Sequence, residues 1–305
     1  MVLQTETPAK LDGAQDNPYS RVKTTDPLRK RGPRMKVGFL TACMRNKNLD
    51  EILDFAAQAG FQALEVTSAH LQMDNLDERK AESLKSKLKE KGLVLSSVAH
   101  YANFLAGDRN LHQAQMKRAV DVAVMLDVNV VCALAGVAPM GADKVRLLRE
   151  EALPHWKPLA KYAEEKGIKI AFENWFRTLT ENLEHWTICF ETIDEDNVGL
   201  NFDPSHLYWM GIDYLAAVDE FKDRIFHTHA KDTEIKQERL RRLGCRSTSW
   251  WRYVIPGFGG IDWGAYVSRL RGIQYDGVLS IEHEDKTFGP EEGLEKGLAH
   301  LSLFV

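Results

Sequence analysis

Four acidic or imidazole side chains end short apolar runs in the second half of this 305-residue chain. In chain order they are Glu173, Asp203, His229 and Glu282. Three carboxylates and one imidazole form a hard, oxygen-rich ligand set, which suits Mn²⁺, Mg²⁺ or Co²⁺ better than a closed structural zinc site. Without a cation, three carboxylates brought together repel each other strongly, and one of them would have to take up a proton. The residue types therefore predict one divalent metal ion, with Mn²⁺ preferred.

A metal ion in such a site could assist the removal of a proton from a sugar carbon. When a carbonyl and an adjacent hydroxyl chelate the ion, it stabilises the enediolate that forms as the neighbouring C–H bond breaks. One carboxylate takes the proton, and a second on the opposite face returns it with inverted configuration. A leaving group β to the carbonyl would instead be expelled from the same carbanion. The residue types therefore leave isomerisation or epimerisation and elimination open.

The elements that must position these side chains alternate regularly from residue 36 onward. Apolar or β-branched runs predict strands at 36–41, 63–67, 93–100, 128–134, 168–173, 198–203, 224–230 and 277–282. Amphipathic stretches predict helices at 48–60, 77–91, 111–127, 143–167, 181–191, 213–221, 262–271 and 290–303. Eight strand–helix units in about 270 residues are typical of an α/β fold, the (β/α)₈ TIM barrel. No G-x-G-x-x-G follows the first strand, so a nucleotide-binding open sheet is not favoured.

Residues 1–34 have a different character from the rest of the chain. They are polar, contain four prolines and have no hydrophobic period of either 2 or 3.6. We therefore predict an irregular N-terminal extended arm over residues 1–34 and the barrel over residues 35–305. The arm could wrap the barrel, lie at an interface, or have no role in chemistry.

The barrel architecture explains how distant residues could form one site. In a TIM barrel the catalytic groups lie where strands end and the following loops begin. Because side chains alternate along a strand, Asp203 faces the same way as Asn201, and His229 the same way as His227. If that face is the barrel interior, the four candidate ligands converge at the mouth.

Four motifs at these strand ends resemble one known family. They are E-N at 173–174, D-P-S-H at 203–206, H-x-K-D at 229–232 and I-E-H-E-D at 281–285. In this order they resemble the xylose-isomerase-like TIM-barrel superfamily, and the resemblance covers about residues 36–305, all but the arm. Its members include sugar phosphate isomerases and epimerases, ketose 3-epimerases, inosose dehydratase and, more distantly, endonuclease IV.

The resemblance implies a role for individual residues. The divalent metal ligands would be Glu173, Asp203, His229 and Glu282. In ketose epimerases two glutamates also act as the acid/base pair, and here these would be Glu173 and Glu282. His206 would be a third catalytic residue, hydrogen-bonding a substrate oxygen near the metal. Lys231 would also bind substrate, although it lies one residue out of the inward register of His229.

Further candidate substrate contacts lie around the same strand ends. Aromatic residues recur in the loops, among them Trp175 after the fifth strand and Trp251 in the insertion after the seventh. Aromatic faces stack on the C–H faces of sugars or on flat aglycones. His100 ends the third strand, and Arg246 lies in an arginine-rich segment, 238–246, that could grip a phosphate or carboxylate. Each has a plainer alternative. The aromatic residues could pack against neighbouring loops, His100 could be a hydrogen-bonded polar residue at the rim, and Arg246 could belong to a solvated surface or a subunit contact.

The composition excludes several other classes of protein. With 40 basic and 44 acidic residues the net charge is −4, which argues against a nucleic-acid partner. No run approaches about 18 consecutive apolar residues, and the first 34 residues lack the apolar core of a secretion signal. Neither membrane association nor export is therefore expected. The four cysteines form no C-x-x-C pair, which favours a cytoplasmic location. By analogy with similar barrels we also expect a homo-oligomer.

Four hypotheses for the function follow. The leading one is a metal-dependent isomerase or epimerase of a sugar or keto-sugar. The alternative is a metal-dependent lyase, either an inosose-type dehydratase or an enzyme eliminating from a 3-keto-glycoside, C-glycoside cleavage included. Endonuclease-IV-like DNA repair would need three zinc ions and a D-x-H motif, which is absent between Lys231 and Trp263. The last hypothesis is a barrel that serves as a non-catalytic subunit.

Overall fold

A computed structural model describes residues 35–305, and eight parallel strands in it form a closed barrel. The strands are β1 (Lys36–Leu40), β2 (Ala63–Thr67), β3 (Val94–His100), β4 (Val130–Ala133), β5 (Lys169–Glu173), β6 (Val198–Phe202), β7 (Ile225–Ala230) and β10 (Val278–Ile281). They close in the order β1-β10-β7-β6-β5-β4-β3-β2, with helices around them. The predicted TIM barrel is thus confirmed. The predicted arm lies outside the described residues.

Helices connect the strands, and most of them cover the outside of the barrel. Their bounds are α1 (Leu49–Ala59), α2 (Glu78–Glu90), α3 (Arg109–Met125), α4 (Lys144–Leu147), α5 (Leu153–Glu164), α6 (Leu183–Ile193), α7 (Pro204–Met210), α8 (Tyr214–Glu220), α9 (Gln237–Leu243), α10 (Trp263–Gly272) and α11 (Pro290–Leu301). Local sequence sets several ends: Asn48 and Glu51 form a capping box at α1, and Gly60 ends that helix with a φ of 90°. No helix within residues 35–305 has the length and apolarity needed to cross a membrane.

The insertion after β7 contains an antiparallel hairpin that the sequence pattern does not predict. Its strands are β8 (Asp232–Ile235) and β9 (Trp251–Val254), which pair with each other and with no barrel strand. Helix α7, directly after Asp203, is a second unpredicted element. Both elements lie at the carboxyl ends of the barrel strands, where they can cover the barrel mouth.

Two cores stabilise the structure. Between strands and helices lies a large core whose fully buried aromatic residues include Phe39, Trp156, Phe172, Trp186 and Phe202. Inside the barrel a small apolar cluster is formed by Leu40, Ala99, Val130, Cys132 and Ala171. Because these interior side chains are small, there is room above them for larger polar residues.

Two buried histidines lie between α3 and α5. Nδ1 of His112 and Nε2 of His155 are 2.8 Å apart, and Phe104 stacks on His155 with ring centroids 4.2 Å apart. Burial, assisted by a neighbouring imidazole, lowers the pKa of His112 to about 4 and that of His155 to about 3. The folded protein therefore favours the neutral form of both rings.

We expect this pair to make stability fall with acidification. The unfolded chain, with a histidine pKa of about 6.5, takes up protons before the folded chain does. The contribution of the neutral pair to the free energy of unfolding is fully present above about pH 6.5. It decreases towards about pH 4, by up to about 1.4 kcal/mol per pH unit for each histidine. Urea unfolding of the protein and of a His155→Gln variant over this range measures the effect. Equal slopes for the two proteins would refute it.

Candidate metal centre

The four candidate ligands meet at the carboxyl ends of neighbouring barrel strands. Glu173 ends β5, Asp203 follows β6, His229 lies in β7 and Glu282 follows β10. One ligand atom from each lies within 4.8 Å of every other. The four residues are therefore close enough to bind a single metal ion.

Asp203 is held so that one carboxylate oxygen faces this cluster. The side chain of Asn174 accepts a hydrogen bond from the backbone N–H of Asp203 (2.7 Å) and donates one to its carbonyl (2.9 Å). Oδ1 accepts a hydrogen bond from the backbone N–H of Ser205 (2.8 Å). The buried Oδ2 has no hydrogen bond of good geometry among residues 35–305, although the ammonium of Lys231 lies 3.1 Å from it as an ion-pair partner. The E-N motif therefore supplies Glu173 and the residue that positions Asp203.

His229 is oriented in a similar way. Its Nε2 lies 3.1 Å from Oε2 of Glu65, a residue of β2. Its buried Nδ1 makes no hydrogen bond within the described part of the chain and lies 3.2 Å from Oε2 of Glu282. Two buried ligand atoms, Oδ2 of Asp203 and Nδ1 of His229, thus lack hydrogen bonds within one oxygen-rich cluster. This donor set fits a divalent metal ion.

Lys231 brings its ammonium group into the same cluster. Its Nζ lies 2.5 Å from Glu282 Oε2, 3.1 Å from Asp203 Oδ2 and 3.9 Å from Glu173 Oε1. Glu284 approaches the same Nζ to 3.4 Å. The residue follows the last residue of β7, so the strand alternation that would point it outward no longer applies. A buried cation therefore partly offsets the carboxylates.

The cluster is strongly coupled electrostatically. Burial disfavours ionisation of Glu173, but a hydrogen bond from His206 and the nearby positive charges of His229 and Lys231 outweigh it and hold its pKa well below the usual range. Burial, together with the charge of Glu173, raises the pKa of Glu282 even though Lys231 opposes the shift. Burial also works against the charged form of His229, but the facing Glu65 and Glu282 raise its pKa. The two glutamates thus differ in their tendency to hold a proton.

Accessibility divides the four candidate ligands into two kinds. The side chains of Asp203 and His229 are 0% exposed, whereas those of Glu173 and Glu282 are 8% and 15% exposed. A bound molecule could therefore reach only the two glutamates directly. Asp203 and His229 can act on it only through a shared ion.

His206 lies behind the ligands and connects them to aromatic residues. It is fully buried, and its Nε2 is 3.3 Å from both Glu173 Oε1 and Asp203 Oδ2. Its Nδ1 forms a 2.6 Å hydrogen bond with the hydroxyl of Tyr253 in β9. His206 therefore contacts two of the candidate ligands, while its contact with substrate stays a prediction.

Four aromatic residues form a wall next to the cluster. They are Phe176, Trp209, Trp251 and Tyr253, and they come from the loop after β5, from α7 and from β9. Trp209 and Trp251 stack with centroids 4.4 Å apart, and Phe176 meets both rings edge-on. Trp175 lies at the margin, 5.6 Å from Phe176. Two of the candidate substrate contacts, Trp175 and Trp251, therefore belong to or adjoin one surface.

Asp232 anchors the hairpin that carries part of this wall. Its carboxylate is fully buried and accepts four hydrogen bonds of 2.8–3.0 Å. The donors are the backbone N–H groups of Thr233, Gly257 and Ile261 and the indole N–H of Trp263. The last residue of the H-x-K-D motif thus fixes both ends of the insertion.

We expect Asp232→Asn to lower the free energy of unfolding by about 3 kcal/mol. The amide nitrogen that replaces one carboxylate oxygen cannot accept the hydrogen bonds that this oxygen receives. Asp213→Asn is a matched control, because Asp213 is the N-cap of α8 and asparagine caps helices equally well. Urea unfolding of both variants measures the difference. Equal losses in the two would contradict the anchoring role.

Two predicted substrate contacts lie apart from the cluster. His100 hydrogen-bonds Ser68 through Nδ1 (3.0 Å), and its ring centroid lies 6.2 Å from that of His112 in α3. Arg246 is exposed between α9 and β9 and makes no hydrogen bond or ion pair with the cluster. Neither side chain is brought to the four candidate ligands.

The neighbour of His100 is a site residue that the sequence reasoning missed. The hydroxyl of Tyr101 lies 3.2 Å from Nε2 of His229 and donates a 2.6 Å hydrogen bond to Glu65. Glu65 pairs with Ser97 across β2 and β3, so alternation from Ser97 points Tyr101 inward and His100 outward. Counting this alternation along β3 would have found it.

A second group of possible ligands lies deeper in the barrel. Glu65, Cys132 and His227 offer atoms within 4.8 Å of one another. However, His227 hydrogen-bonds Asn201 (2.9 Å) and Ser96 (3.0 Å), so both of its nitrogens are already used. Burial opposes ionisation of Glu65, but the facing His229 and His227 lower its pKa to about 2. This group is a hydrogen-bonded network rather than a second metal site.

Comparisons with known proteins show which sequences this chain resembles. A family model described as the xylose isomerase-like TIM barrel matches residues 53–303. The chain is 29% identical to the uncharacterized protein YfiH of Bacillus subtilis (strain 168), over 88% of this chain and 98% of that protein. It is 30% identical to inosose dehydratase of Salmonella agona (strain SL483) over 151 residues. That match covers 47% of this chain and about half, 50%, of the dehydratase.

Several solved structures share the fold. The probable 3-DHS dehydratase AsbF of Bacillus anthracis has a TM-score of 0.73 at 19% identity, over 88% of this chain and 99% of that one. An IolI protein with a bound zinc atom has a TM-score of 0.70 at 23% identity, covering 89% and 99%. D-psicose 3-epimerase of Clostridium cellulolyticum H10 has a TM-score of 0.68 at 19% identity, covering 88% and 98%. At these identities the likeness concerns the fold alone.

Proposed function

The chain belongs to the xylose isomerase-like TIM barrel family, and from this premise we propose that it is a metal-dependent isomerase or epimerase of a sugar or keto-sugar. One observation carries the proposal. Two partly exposed glutamates, Glu173 and Glu282, flank two fully buried ligands on consecutive barrel strands. Two carboxylates placed in this way can serve as the acid/base pair of an enzyme that removes and returns a proton next to a carbonyl.

Each residue has a defined task in this proposal. Glu173, Asp203, His229 and Glu282 hold the ion, which is proposed to be Mn²⁺, with Mg²⁺ or Co²⁺ as alternatives. The ion supplies Lewis-acid stabilisation for the negative charge that develops on the substrate carbonyl oxygen. Glu173 and Glu282 approach from β5 and β10, with β6 and β7 between them. One takes the proton from the substrate carbon and the other delivers a proton to it.

The surroundings of the cluster favour a sugar as substrate. The wall of Phe176, Trp209, Trp251 and Tyr253 offers an aromatic surface beside the two glutamates. Such surfaces pack against the C–H faces of sugars, while the carboxylates of Glu173 and Glu282, the two more exposed ligands, offer polar atoms to the substrate's hydroxyl groups. A small polyhydroxylated ketone matches both features.

A dehydratase is the second candidate. The sequence matches to inosose dehydratases favour it, since the epimerase named above resembles this chain only in fold. The same proton abstraction, followed by loss of a β-hydroxyl group, would give elimination in place of epimerisation. Both candidates therefore share the first chemical step.

Incubation with Mn²⁺ and a panel of keto-sugars in D₂O tests the proposal. NMR and mass spectrometry of the products should detect deuterium on the epimerised carbon without loss of any group. Release of water would contradict the epimerase and favour the dehydratase. Absence of exchange and of elimination for every compound, including keto-inositols, would contradict both.

A further inference from the structure

A carboxylate from the far side of the barrel contacts the metal cluster from below. Glu65 lies in β2, which is separated from β7 by β1 and β10 in the closed order. Its side chain is fully buried in the barrel interior, where an unpaired carboxylate would be very costly. The proposed reaction assigns it no task.

Both oxygens of Glu65 accept hydrogen bonds from barrel side chains. Oε1 accepts a 2.6 Å hydrogen bond from the hydroxyl of Tyr101. Oε2 accepts a 2.8 Å hydrogen bond from the hydroxyl of Ser280 and lies 3.1 Å from Nε2 of His229. Nε2 of His229 also lies 3.0 Å from the amide nitrogen of Asn201, which donates to the Tyr101 hydroxyl at the same distance. An ionised carboxylate can only accept, so its contact with Nε2 is a hydrogen bond when the hydrogen is on Nε2.

This contact determines which nitrogen of His229 is free. With its hydrogen on Nε2, the neutral ring has its lone pair on Nδ1, the buried atom that faces Glu282 and has no hydrogen bond to any residue from 35 to 305. We propose that Glu65 is a positioning residue that fixes the ring orientation and tautomer of His229 for metal binding. The inference rests on the metal site of the proposed function.

The neighbours of Glu65 hold it in turn. Asn201 donates a 3.0 Å hydrogen bond to the hydroxyl of Tyr101, which donates to Glu65. Asn201 also accepts a 2.9 Å hydrogen bond from Nδ1 of His227. Residues from β2, the end of β3, β6, β7 and β10 therefore fix one imidazole. Outer partners of this kind typically contribute about 10- to 100-fold to metal affinity.

Metal affinity of the purified protein tests this role without measuring turnover. Glu65→Leu removes the acceptor, and we expect the Kd for Mn²⁺ to rise about 100-fold. Glu65→Gln keeps one acceptor oxygen, so its Kd should rise only about 10-fold. Thr228→Val is the matched control, because Thr228 is buried next to His229 and its hydroxyl donates to the carbonyl of Val278 instead. Its Kd should stay within about twofold of the parent value.

A spectroscopic measurement separates positioning from general stability. In the Zn²⁺-loaded protein with ¹⁵N-labelled histidine, His229 should give one Nε2–H signal that is preserved in Glu65→Gln and lost in Glu65→Leu. If Glu65→Leu does not fold, Tyr101→Phe replaces it, with an expected rise in Kd of about 10-fold.

The outcomes separate the two levels of the proposal. Failure of the parent protein to bind Mn²⁺ would contradict the metal site itself. If Glu65→Leu binds Mn²⁺ as tightly as the parent protein does, only the positioning role is contradicted. The same holds if Glu65→Gln and Tyr101→Phe both bind Mn²⁺ as tightly as the parent protein. An equal loss of affinity in Thr228→Val would also overturn it.

Discussion

Replacing Glu173 with glutamine is expected to lower kcat by about 10³-fold while the barrel stays folded. Glutamine has the same shape and keeps one oxygen, but it cannot take a proton from carbon. Glu282→Gln should lower kcat by a similar factor, since the returning proton needs a second titratable group. Steady-state kinetics at saturating Mn²⁺, with circular dichroism of each variant, measure both parts of the expectation.

Two controls make this result interpretable. Glu284 is also within ion-pair distance of Lys231 but is 47% exposed and is not among the four candidate ligands, so Glu284→Gln should change kcat only a few-fold. Bound metal is measured in the same samples, which separates loss of the ion from loss of the proton-transfer group. Retained activity in both Glu173→Gln and Glu282→Gln would refute the acid/base assignment.

Lys231→Met is expected to destabilise the metal-free protein by about 3–5 kcal/mol. The buried ammonium of Lys231 is paired with Asp203, Glu282 and Glu173, and its removal leaves buried carboxylates facing each other without a counter-charge. A divalent ion supplies that charge, so Mn²⁺ should restore more stability to the variant than it adds to the parent protein. Urea unfolding of the parent protein and of Lys231→Met, each with chelator and with Mn²⁺, gives the four free energies of unfolding that are needed.

Lys91→Met is the matched control for this prediction. Lys91 also forms an ion pair, 2.5 Å from Asp54, but on the protein surface, where its loss should have little effect with or without metal. Equal stability of Lys231→Met and the parent protein in chelator would contradict the role of the buried ammonium. A loss that Mn²⁺ does not reduce would contradict the link to the metal site.

The barrel and the four clustered residues could be predicted because they depend on local patterns. Apolar runs ending in Glu173, Asp203, His229 and Glu282 identify strand ends, and parallel topology brings those ends together. The hairpin could not be predicted in this way, since β8 and β9 pair across a polar, arginine-rich segment and neither resembles a barrel strand. Such pairing depends on Asp232, whose hydrogen bonds to distant backbone groups leave no periodic signal.

Residue roles were harder to predict than residue positions. The contact of Glu65 with His229 spans the barrel and joins residues 164 positions apart, so it depends on the closed topology and on small interior neighbours. Lys231 enters the cluster because β7 ends one residue before it, a boundary that strand propensity does not define.

The self-paired hairpin also bears on how substrate range can diverge in this barrel. The proposed ligands belong to the barrel strands or directly follow them, whereas Trp251 and Tyr253 belong to one contiguous segment that makes no sheet hydrogen bonds with the barrel. A single recombination event that exchanged residues 233–262 would replace half of the aromatic wall and leave the proposed ligands in place. Selection for a new substrate could therefore act on this segment without first rebuilding the proposed metal centre.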